Sequence, residues 1–216
     1  ELVAECQEFI GRGFNAYKYK IGTDRDEERT ALLRQEAGED ITLFADANQK
    51  YNVREAVEVS SMLAEYGIAW FEEPVNPDDY EGHRLVSRAT TIPIATGENE
   101  YTRYGFRDLI KDRCAAILQP DALIMGGITE YMKVAAMAQA HDLPVAPHGS
   151  QDVHVHLVAA VPNGLTVEYY RGSTDPMWDK MFKYPLQLDD GFVSPPDRPG
   201  MGIEPNDEAL AQYRVG

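Results

Sequence analysis

Residues 42–73 of the 216-residue chain, TLFADANQKYNVREAVEVSSMLAEYGIAWFEE, contain one complete strand–helix–strand unit. Two short, mainly apolar runs, Thr42–Ala47 and Ile68–Glu73, have the length of buried strands. Between them, Val53–Tyr66 carries apolar residues at helical spacing. Because parallel strands are joined in this way through a helix, the stretch predicts a parallel sheet with helices packed against it.

The same alternation continues along the chain. The predicted strands are Ala16–Ile21, Thr42–Ala47, Ile68–Glu73, Pro93–Gly97, Ala115–Gln119, Pro144–Pro147 and Thr166–Tyr170. The predicted helices are Arg25–Ala37, Val53–Tyr66, Asp78–Arg88, Tyr104–Lys111, Ile128–His141 and Val153–Val161. This order is typical of α/β folds, so we expect one α/β domain over residues 1–188. Residues 189–216 are rich in proline and glycine and predict an irregular tail packed on that domain.

Polar residues recur where these strands end. In chain order they are Lys20, Asp46, Glu72, Glu98, Asp121, His148 and Glu168. The first four are each 26 positions apart, and the others follow after 23, 27 and 20 positions. Polar residues are common where strands become loops, but this period would place all seven around one rim of a closed barrel. Barrel enzymes keep their chemistry at that rim, whereas an open sheet would spread the residues along an edge.

Composition and charge restrict the partners. The formal net charge is −16, with 20 basic and 36 acidic residues, which argues against binding to nucleic acid. No window approaches about 18 uninterrupted apolar residues, so no membrane segment is predicted. The two cysteines, Cys6 and Cys114, cannot form a disulfide framework. This fits a cytoplasmic protein.

Three of the polar residues, Asp46, Glu72 and Glu98, are carboxylates from consecutive strand ends. In a partly buried mouth their mutual repulsion would raise their pKa values unless a cation lay between them. Hard oxygen ligands suit Mg²⁺, so we predict a magnesium site. Asn48, two residues beyond Asp46, could hydrogen-bond a ligand or substrate from the same side.

Two nearby acids are not assigned to this site. Strand alternation turns Glu73 away from Glu72, and Asp78 resembles the N-cap of a helix. The histidines outside the strand ends lie on helical patterns, so no zinc cluster is predicted.

Lys18 and Lys20 are two positions apart and therefore point to one side of their strand. On a solvated strand they would form an ordinary polar face. Inside a barrel, the two ammonium groups would lie near each other and near a metal ion, and their pKa values would fall below about 10.4. A lysine with a lowered pKa can act as a base. His148 is the one histidine at a strand end, and Asp121 on the neighbouring strand is placed to bond one of its ring nitrogens. We therefore expect one base on each face of a substrate.

This arrangement predicts chemistry at the carbon next to a carboxylate. A carboxylate substrate held by Mg²⁺ would lose its α-proton to one base, and the metal with Lys18 and Glu168 would stabilise the enediolate. Glu168, if protonated, could donate a hydrogen bond to a carboxylate oxygen. Reprotonation on the other face gives racemisation, whereas protonation of a departing 3-hydroxyl gives dehydration. The residues alone leave both reactions open.

Seven short motifs follow one another across nearly the whole chain: Lys18-Tyr19-Lys20, Asp46-Ala47-Asn48, Trp70-Phe71-Glu72-Glu73-Pro74, Gly97-Glu98-Asn99, Gln119-Pro120-Asp121, Gly126-Gly127 and Pro147-His148-Gly149. Together they resemble the enolase superfamily, and specifically its mandelate racemase subgroup. The resemblance implies two bases, three Mg²⁺ ligands and three assisting residues. The bases are Lys20 and the His148–Asp121 pair. The Mg²⁺ ligands are Asp46, Glu72 and Glu98, and the assisting residues are Lys18, Asn48 and Glu168.

Within the subgroup, Pro147-His148-Gly149-Ser150 followed by Glu168-Tyr169-Tyr170 resembles acid-sugar dehydratases more than mandelate racemase. Ser150 and Gln151 could hydrogen-bond the hydroxyl groups of a polyol. The resemblance thus implies a magnesium-dependent hydro-lyase that converts an aldonate or aldarate into a 2-keto-3-deoxy acid. The alternatives are a racemase or epimerase of a 2-hydroxy acid on the same residues, a non-catalytic barrel fragment, and a phosphate-binding barrel that uses the paired glycines.

The same resemblance implies a TIM-type (β/α)7β barrel with an N-terminal α+β capping domain. Neither that domain nor the first barrel strand is recognisable in these residues. Because Leu2, Cys6 and Phe9 already form one face of a helix, we expect that the N-terminal part is missing and that the chain supplies seven of the eight strands. Family members are commonly oligomers, so the resemblance also implies a homo-oligomer.

Overall fold

Strands and helices alternate along residues 1–170 and 178–214, the part of the chain that the computed structural model describes. The strands are Ala16–Lys20 (β1), Thr42–Asp46 (β2), Trp70–Glu72 (β3), Ile94–Thr96 (β4) and Ile117–Leu118 (β5). The helices are Leu2–Ile10 (α1), Asp26–Ala37 (α2), Val53–Glu65 (α3), Tyr80–Ala89 (α4), Thr102–Lys111 (α5), Ile128–Gln139 (α6), Gln151–Ala160 (α7), Trp178–Met181 (α8) and Asp207–Ala211 (α9). The first five predicted strands and the six predicted helices are confirmed, with small changes at their ends.

The strands β1 to β5 form one sheet in sequence order, and each strand runs parallel to its neighbours. Beyond β5 the sheet continues as single bridges, from Leu118 to Val145 and from Val145 to Gly164. The prediction of regular strands at Pro144–Pro147 and Thr166–Tyr170 is therefore wrong.

Two prolines and one side chain limit the backbone hydrogen bonds that these two segments can make to the sheet. Pro144 and Pro147 have no backbone N–H, so only the two residues between them can donate to neighbouring segments of the sheet. Further along, the backbone N–H of Tyr170 donates to the side chain of Gln151 at 3.1 Å. That N–H group is thus used outside the sheet.

Apolar side chains cover both faces of the sheet. On the outer face, Tyr19, Leu43 and Phe71 are buried in one cluster with residues of α1 to α4. The inner face carries a second layer, which consists of Phe44, Trp70, Ala95, Ile117 and Ala146. Within it the rings of Phe44 and Trp70 stack with their centres 3.6 Å apart. This inner layer is the floor on which the polar residues lie.

The register of β1, β2 and β3 places polar residues directly beyond this floor. Asp46 pairs with Lys20 on one side and with Glu72 on the other. Each of the two acids lies two positions beyond an aromatic residue of the inner layer and so points to the same face. Because the strands are parallel, their carboxyl ends meet at one edge of the sheet, which we term the rim.

The sheet is curved, so that its two ends approach each other. Nζ of Lys18 on β1 lies 2.6 Å from Oε1 of Glu168, and the rings of Phe14 and Tyr169 have their centres 5.5 Å apart. The described residues thus form the parallel α/β sheet of a TIM-type barrel, as predicted.

Side chains set the beginnings of two helices. At α3, the Asn52 side chain accepts a hydrogen bond from the Glu55 backbone N–H, and the Glu55 side chain accepts one from the Asn52 backbone N–H. At α4 the cap is Asp79, which accepts from the Gly82 amide at 2.8 Å. The prediction of Asp78 as the cap is wrong by one residue.

The tail contacts the barrel through α7, where Nε2 of His156 lies 2.9 Å from the carbonyl oxygen of Met201. It also contains the short helix α9. The division of the chain at residue 188 stays a prediction. No helix within the described part of the chain is both long and apolar enough to cross a membrane.

Candidate active site at the rim

Lys18 lies at the centre of a group of carboxylates. Its Nζ atom is 2.6 Å from Glu72 Oε1, 2.6 Å from Glu168 Oε1 and 3.4 Å from Asp46 Oδ2. Burial lowers the pKa of Lys18, but the carboxylates outweigh that effect and hold the pKa well above its usual value. The expectation of a lowered pKa is therefore wrong for Lys18, because its neighbours are carboxylates and not a second ammonium group.

Lys20 lies on the same side of β1 as Lys18, as the alternation predicts, but it reaches solvent. Its Nζ donates to Asp46 Oδ2 at 2.6 Å, and its side chain is 64% exposed. Burial raises the pKa of Asp46, but the two lysines outweigh this and hold the pKa below its usual value. Lys20 is the lysine that a molecule entering from solvent meets first.

Asp46, Glu72 and Glu98 are all buried. Trp70 donates its Nε1–H to Glu72 Oε2 at 3.1 Å, and burial raises the pKa of Glu72 although Lys18 opposes this. Burial also raises the pKa of Glu98. Its Oε2 atom accepts no hydrogen bond from the described residues. The positively charged groups around Asp46, Glu72 and Glu98 are therefore too few to neutralise all three carboxylates.

The donor chemistry of this group fits a divalent cation. Carboxylates are hard oxygen ligands of the kind that Mg²⁺ prefers, and Glu98 offers a buried oxygen atom without a hydrogen-bond donor. In this conformation Lys18 bridges Asp46 and Glu72. Across residues 1–170 and 178–214, no three Asp, Glu, His or Cys side chains converge closely enough to hold an ion. Ion binding would therefore require the carboxylates to turn toward one another.

His148 faces the same group from the far side. Its Nδ1 lies 3.1 Å from Asp121 Oδ2, the pairing that the sequence predicts, and its Nε2 lies 3.8 Å from Glu98 Oε2. Burial lowers the pKa of His148, but the hydrogen bond to Asp121 and the nearby carboxylates outweigh it and raise the pKa to about 9. Asp121 and His148 thus form a hydrogen-bonded pair next to Glu98.

Glu168 is ionised in this arrangement. The Gly149 amide donates to its Oε2 at 2.7 Å, and Lys18 pairs with its Oε1. Burial raises the pKa of Glu168, but these partners outweigh it and hold the pKa below its usual value. The condition for a donor role, a protonated Glu168, is not met in this arrangement, since both of its oxygen atoms are occupied as acceptors.

Glu73 belongs to the site although the sequence pattern excludes it. Its backbone φ of +39° interrupts the strand alternation directly after β3. The side chain is fully buried and accepts a hydrogen bond from Asn99 at 2.8 Å. Burial and the charge of Glu98 raise its pKa to about 6. The prediction that Glu73 turns away is wrong, and a left-handed residue at a strand end is a feature that alternation cannot reveal.

The predicted substrate-binding residues differ in accessibility. Asn48 is exposed, and its backbone N–H donates to Asp46 Oδ1 at 2.9 Å. Ser150 is half-buried and begins α7 with a φ of +43°. Gln151 is buried, and its amide bonds the backbone N–H and carbonyl of Tyr170 at 3.1 and 2.9 Å. The prediction that Gln151 is available to a polyol is therefore wrong.

A parallel α/β barrel with acids and bases gathered beyond the carboxyl ends of its strands defines a class of protein, the TIM-barrel domain with a catalytic rim. The family model described as Enolase C-terminal domain-like matches residues 1–209. The chain belongs to this family.

Two curated relatives illustrate the chemistry found in similar proteins. The 3,6-anhydro-α-L-galactonate cycloisomerase of Streptomyces coelicolor is 34% identical over 219 aligned residues, which cover 100% of this chain and 60% of the relative. The arabinonate dehydratase of Saccharolobus solfataricus is 34% identical over 214 residues, covering 95% of this chain and 57% of the relative. The chain thus spans about three fifths of the length of these proteins.

A solved structure with the same fold holds a metal and a sugar acid. The L-talarate dehydratase of a Polaromonas species, crystallised with Mg and L-glucarate, superposes with a TM-score of 0.90 at 32% sequence identity. The match covers 97% of this chain and 58% of that one.

Proposed function

We propose that the protein is a magnesium-dependent dehydratase of a sugar acid. Its substrate would be an aldonate or an aldarate, its intermediate an enediolate formed by loss of the α-proton, and its product a 2-keto-3-deoxy acid. The relatives named above act on sugar acids or their anhydro derivatives, which supports this substrate class. We also propose that the enzyme is homo-oligomeric and cytoplasmic.

One observation carries the proposal. The carboxylates Asp46, Glu72 and Glu98 form a row along the rim, and the two candidate bases lie at its opposite ends. Lys20 contacts Asp46 at 2.6 Å, and the ring of His148 approaches Glu98 at 3.8 Å. A substrate held over the row would therefore have a titratable group on each side. Dehydration needs such a pair, because one group must accept the α-proton while another gives a proton to the departing hydroxyl.

Asp46, Glu72 and Glu98 are the residues that would hold Mg²⁺. When bound, the ion supplies positive charge next to the substrate carboxylate, where negative charge grows as the α-proton leaves. Lys18 stays charged among its carboxylate neighbours and can bind a second anionic oxygen of the substrate. Glu168 holds the Lys18 ammonium in position, and Asn48 and Ser150 are the candidates for contacts with substrate hydroxyls.

The test is incubation of the intact protein with Mg²⁺ and a panel of aldonic and aldaric acids of four to six carbons. We expect at least one product that is lighter than its substrate by one water, with the proton NMR signals of a 2-keto-3-deoxy acid. A product of unchanged mass with inverted stereochemistry at C2 would replace the dehydratase with a racemase or epimerase. Magnesium-independent turnover would contradict the metal site.

A cycloisomerase is the second candidate, because a relative of that activity matches the chain as closely as the arabinonate dehydratase does. Such a reaction conserves mass and needs an anhydro or lactone ring in the substrate. Including 3,6-anhydrogalactonate and a galactarolactone in the panel separates the two. Conversion of either without gain or loss of water would favour the cycloisomerase.

A further inference from the structure

His154 is a fully buried histidine on α7 that no step of the proposed reaction uses. Its Nε2 accepts a hydrogen bond from the backbone N–H of Ala122 at 3.0 Å. Its Nδ1 lies 2.7 Å from the carbonyl oxygen of Gly149. Both partners are backbone groups from the rim, and they come from two different loops.

The chemistry of these partners determines the form of the ring. A backbone N–H can only donate, so Nε2 must be unprotonated, and a carbonyl oxygen can only accept, so Nδ1 must carry the proton. His154 is therefore the neutral Nδ1–H tautomer. Burial lowers its pKa, which favours the same form.

The two backbone groups adjoin the two members of the acid–base pair. Ala122 directly follows Asp121, and Gly149 directly follows His148. The opposite oxygen of Asp121, Oδ1, accepts the Leu123 amide at 2.8 Å. The carboxylate and the imidazole are thus both anchored through the residues that follow them, and His154 is the side chain that connects the two anchors.

We propose that His154 is a positioning residue that sets the distance and angle between Asp121 and His148. The inference rests on the proposed function for its effect on turnover, but its structural part stands without a substrate. The ring of Tyr131 lies beside His154 with a distance of 6.1 Å between the ring centres. Loss of the ring would leave two buried backbone groups without partners and let the two loops move apart.

Three substitutions separate the two hydrogen bonds. His154→Asn keeps a donor near the position of Nδ1, His154→Gln keeps an acceptor near the position of Nε2, and His154→Phe removes both while preserving a ring. The matched control is His156→Phe, because His156 lies on the same helix and bonds a backbone carbonyl in the tail. Thermal unfolding of each intact variant identifies any that fail to fold.

Nitrogen-15 NMR of the histidine rings tests the structural part. We expect a neutral Nδ1–H tautomer for His154 in the wild-type protein and slow hydrogen exchange at the Ala122 amide. That protection should fall in His154→Asn and His154→Phe and persist in His154→Gln and His156→Phe. An Nε2–H tautomer, or equal Ala122 protection in all folded variants, would overturn the inference whether or not a substrate is known.

Steady-state kinetics test the effect on the reaction. We expect His154→Phe to lower kcat by about 10- to 100-fold, with KM changed less than about threefold, and the Asn and Gln variants to recover part of the loss. Equal kcat in His154→Phe and His156→Phe would contradict a positioning role. If the wild-type protein turns over no sugar acid, the proposed function fails, and the NMR result alone decides this inference.

Discussion

The rim has two halves that are built differently. The first half lies at the ends of β1, β2 and β3, and the second half consists of the segments beyond β5. In the first half, the ladder of β1, β2 and β3 aligns Lys20, Asp46 and Glu72 by strand register. In the second half, where the sheet is reduced to single bridges, side chains bond backbone groups instead. Examples are the bonds from Gly149 to Glu168 and from Asn163 to the loop before Val145.

The difference shows what each half depends on. Strand register is maintained by many backbone bonds and by the apolar layers on both faces, so no polar side chain is needed to align the first half. The second half has a buried apolar cluster as well, but a few side-chain-to-backbone bonds align its loops, and a single substitution removes each of these bonds. We therefore expect the loss of a polar side chain to destabilise the second half, and the truncation of an apolar side chain to destabilise the first half.

The largest effect is expected at the chemistry of the first half. Glu72→Gln removes a charged oxygen ligand, so kcat/KM should fall by at least about 100-fold and the stimulation by Mg²⁺ should disappear. Kinetics over a range of magnesium concentrations measures both. Glu58→Gln on the exposed side of α3 is the control. Undiminished, magnesium-dependent activity in Glu72→Gln would remove Glu72 from the metal site.

The packing of the first half predicts the next effect. Phe71 on β3 is fully buried in the outer layer, so Phe71→Ala should lower the free energy of unfolding by about 3–5 kcal/mol. Urea denaturation compares it with Leu32→Ala, whose side chain is about half exposed and should cost far less. Similar losses in both variants would mean that apolar packing does not hold this half together.

The buried histidine His83 predicts a pH effect on stability. His83 on α4 is fully buried, and burial lowers its pKa to about 4. Because the unfolded chain binds the proton more tightly, with a pKa of about 6.5, stability is intact above that pH and is lost as the pH falls toward 4. The loss should reach about 3 kcal/mol at pH 4.

Urea denaturation between pH 7 and 4 measures this loss. The loss should be smaller by about that amount in His83→Gln and unchanged in His141→Gln, where the histidine is exposed. An equal pH dependence in wild type and His83→Gln would show that His83 does not titrate in this way.

The smallest expected effect tests the hydrogen bonds of the second half. Asn163 donates to the carbonyl oxygens of Ala135 and Leu143 at 3.1 and 2.9 Å, so Asn163→Ala should destabilise the protein by about 1–3 kcal/mol. Gln139→Ala on the exposed side of α6 is the control. If Asn163→Ala were as stable as that control in urea, polar bonds would not explain the second half.

The difference between the two halves, strand register in the first and side-chain-to-backbone bonds in the second, also determines what the sequence could predict. In the first half, alternation and a regular period place Asp46 and Glu72 on one face, and the strand pairs confirm this. In the second half, Pro144–Pro147 has the composition of a strand, yet its prolines cannot supply the backbone donors of a ladder. Composition reports burial well but does not report which N–H groups are available.

Electrostatic states were the least predictable part of the site. The sequence predicts a lowered pKa for Lys18 beside a metal and a donor role for Glu168 if it is protonated, whereas in this arrangement each stabilises the charge of the other at 2.6 Å. That contact joins opposite ends of the sheet, so no local pattern could reveal it. Glu73 was missed for a different reason, since its left-handed backbone is set by the turn after β3.

The central claim is that the two halves supply different bases to one substrate. Deuterium incorporation at C2, measured by NMR in D₂O with the intact protein, tests it in Lys20→Gln and His148→Asn. Both variants should lose dehydration, and only one should retain exchange at C2. The residue that is substituted in that variant is the one that does not abstract the α-proton. Exchange retained in both, or lost in both, would contradict the division of roles between the halves.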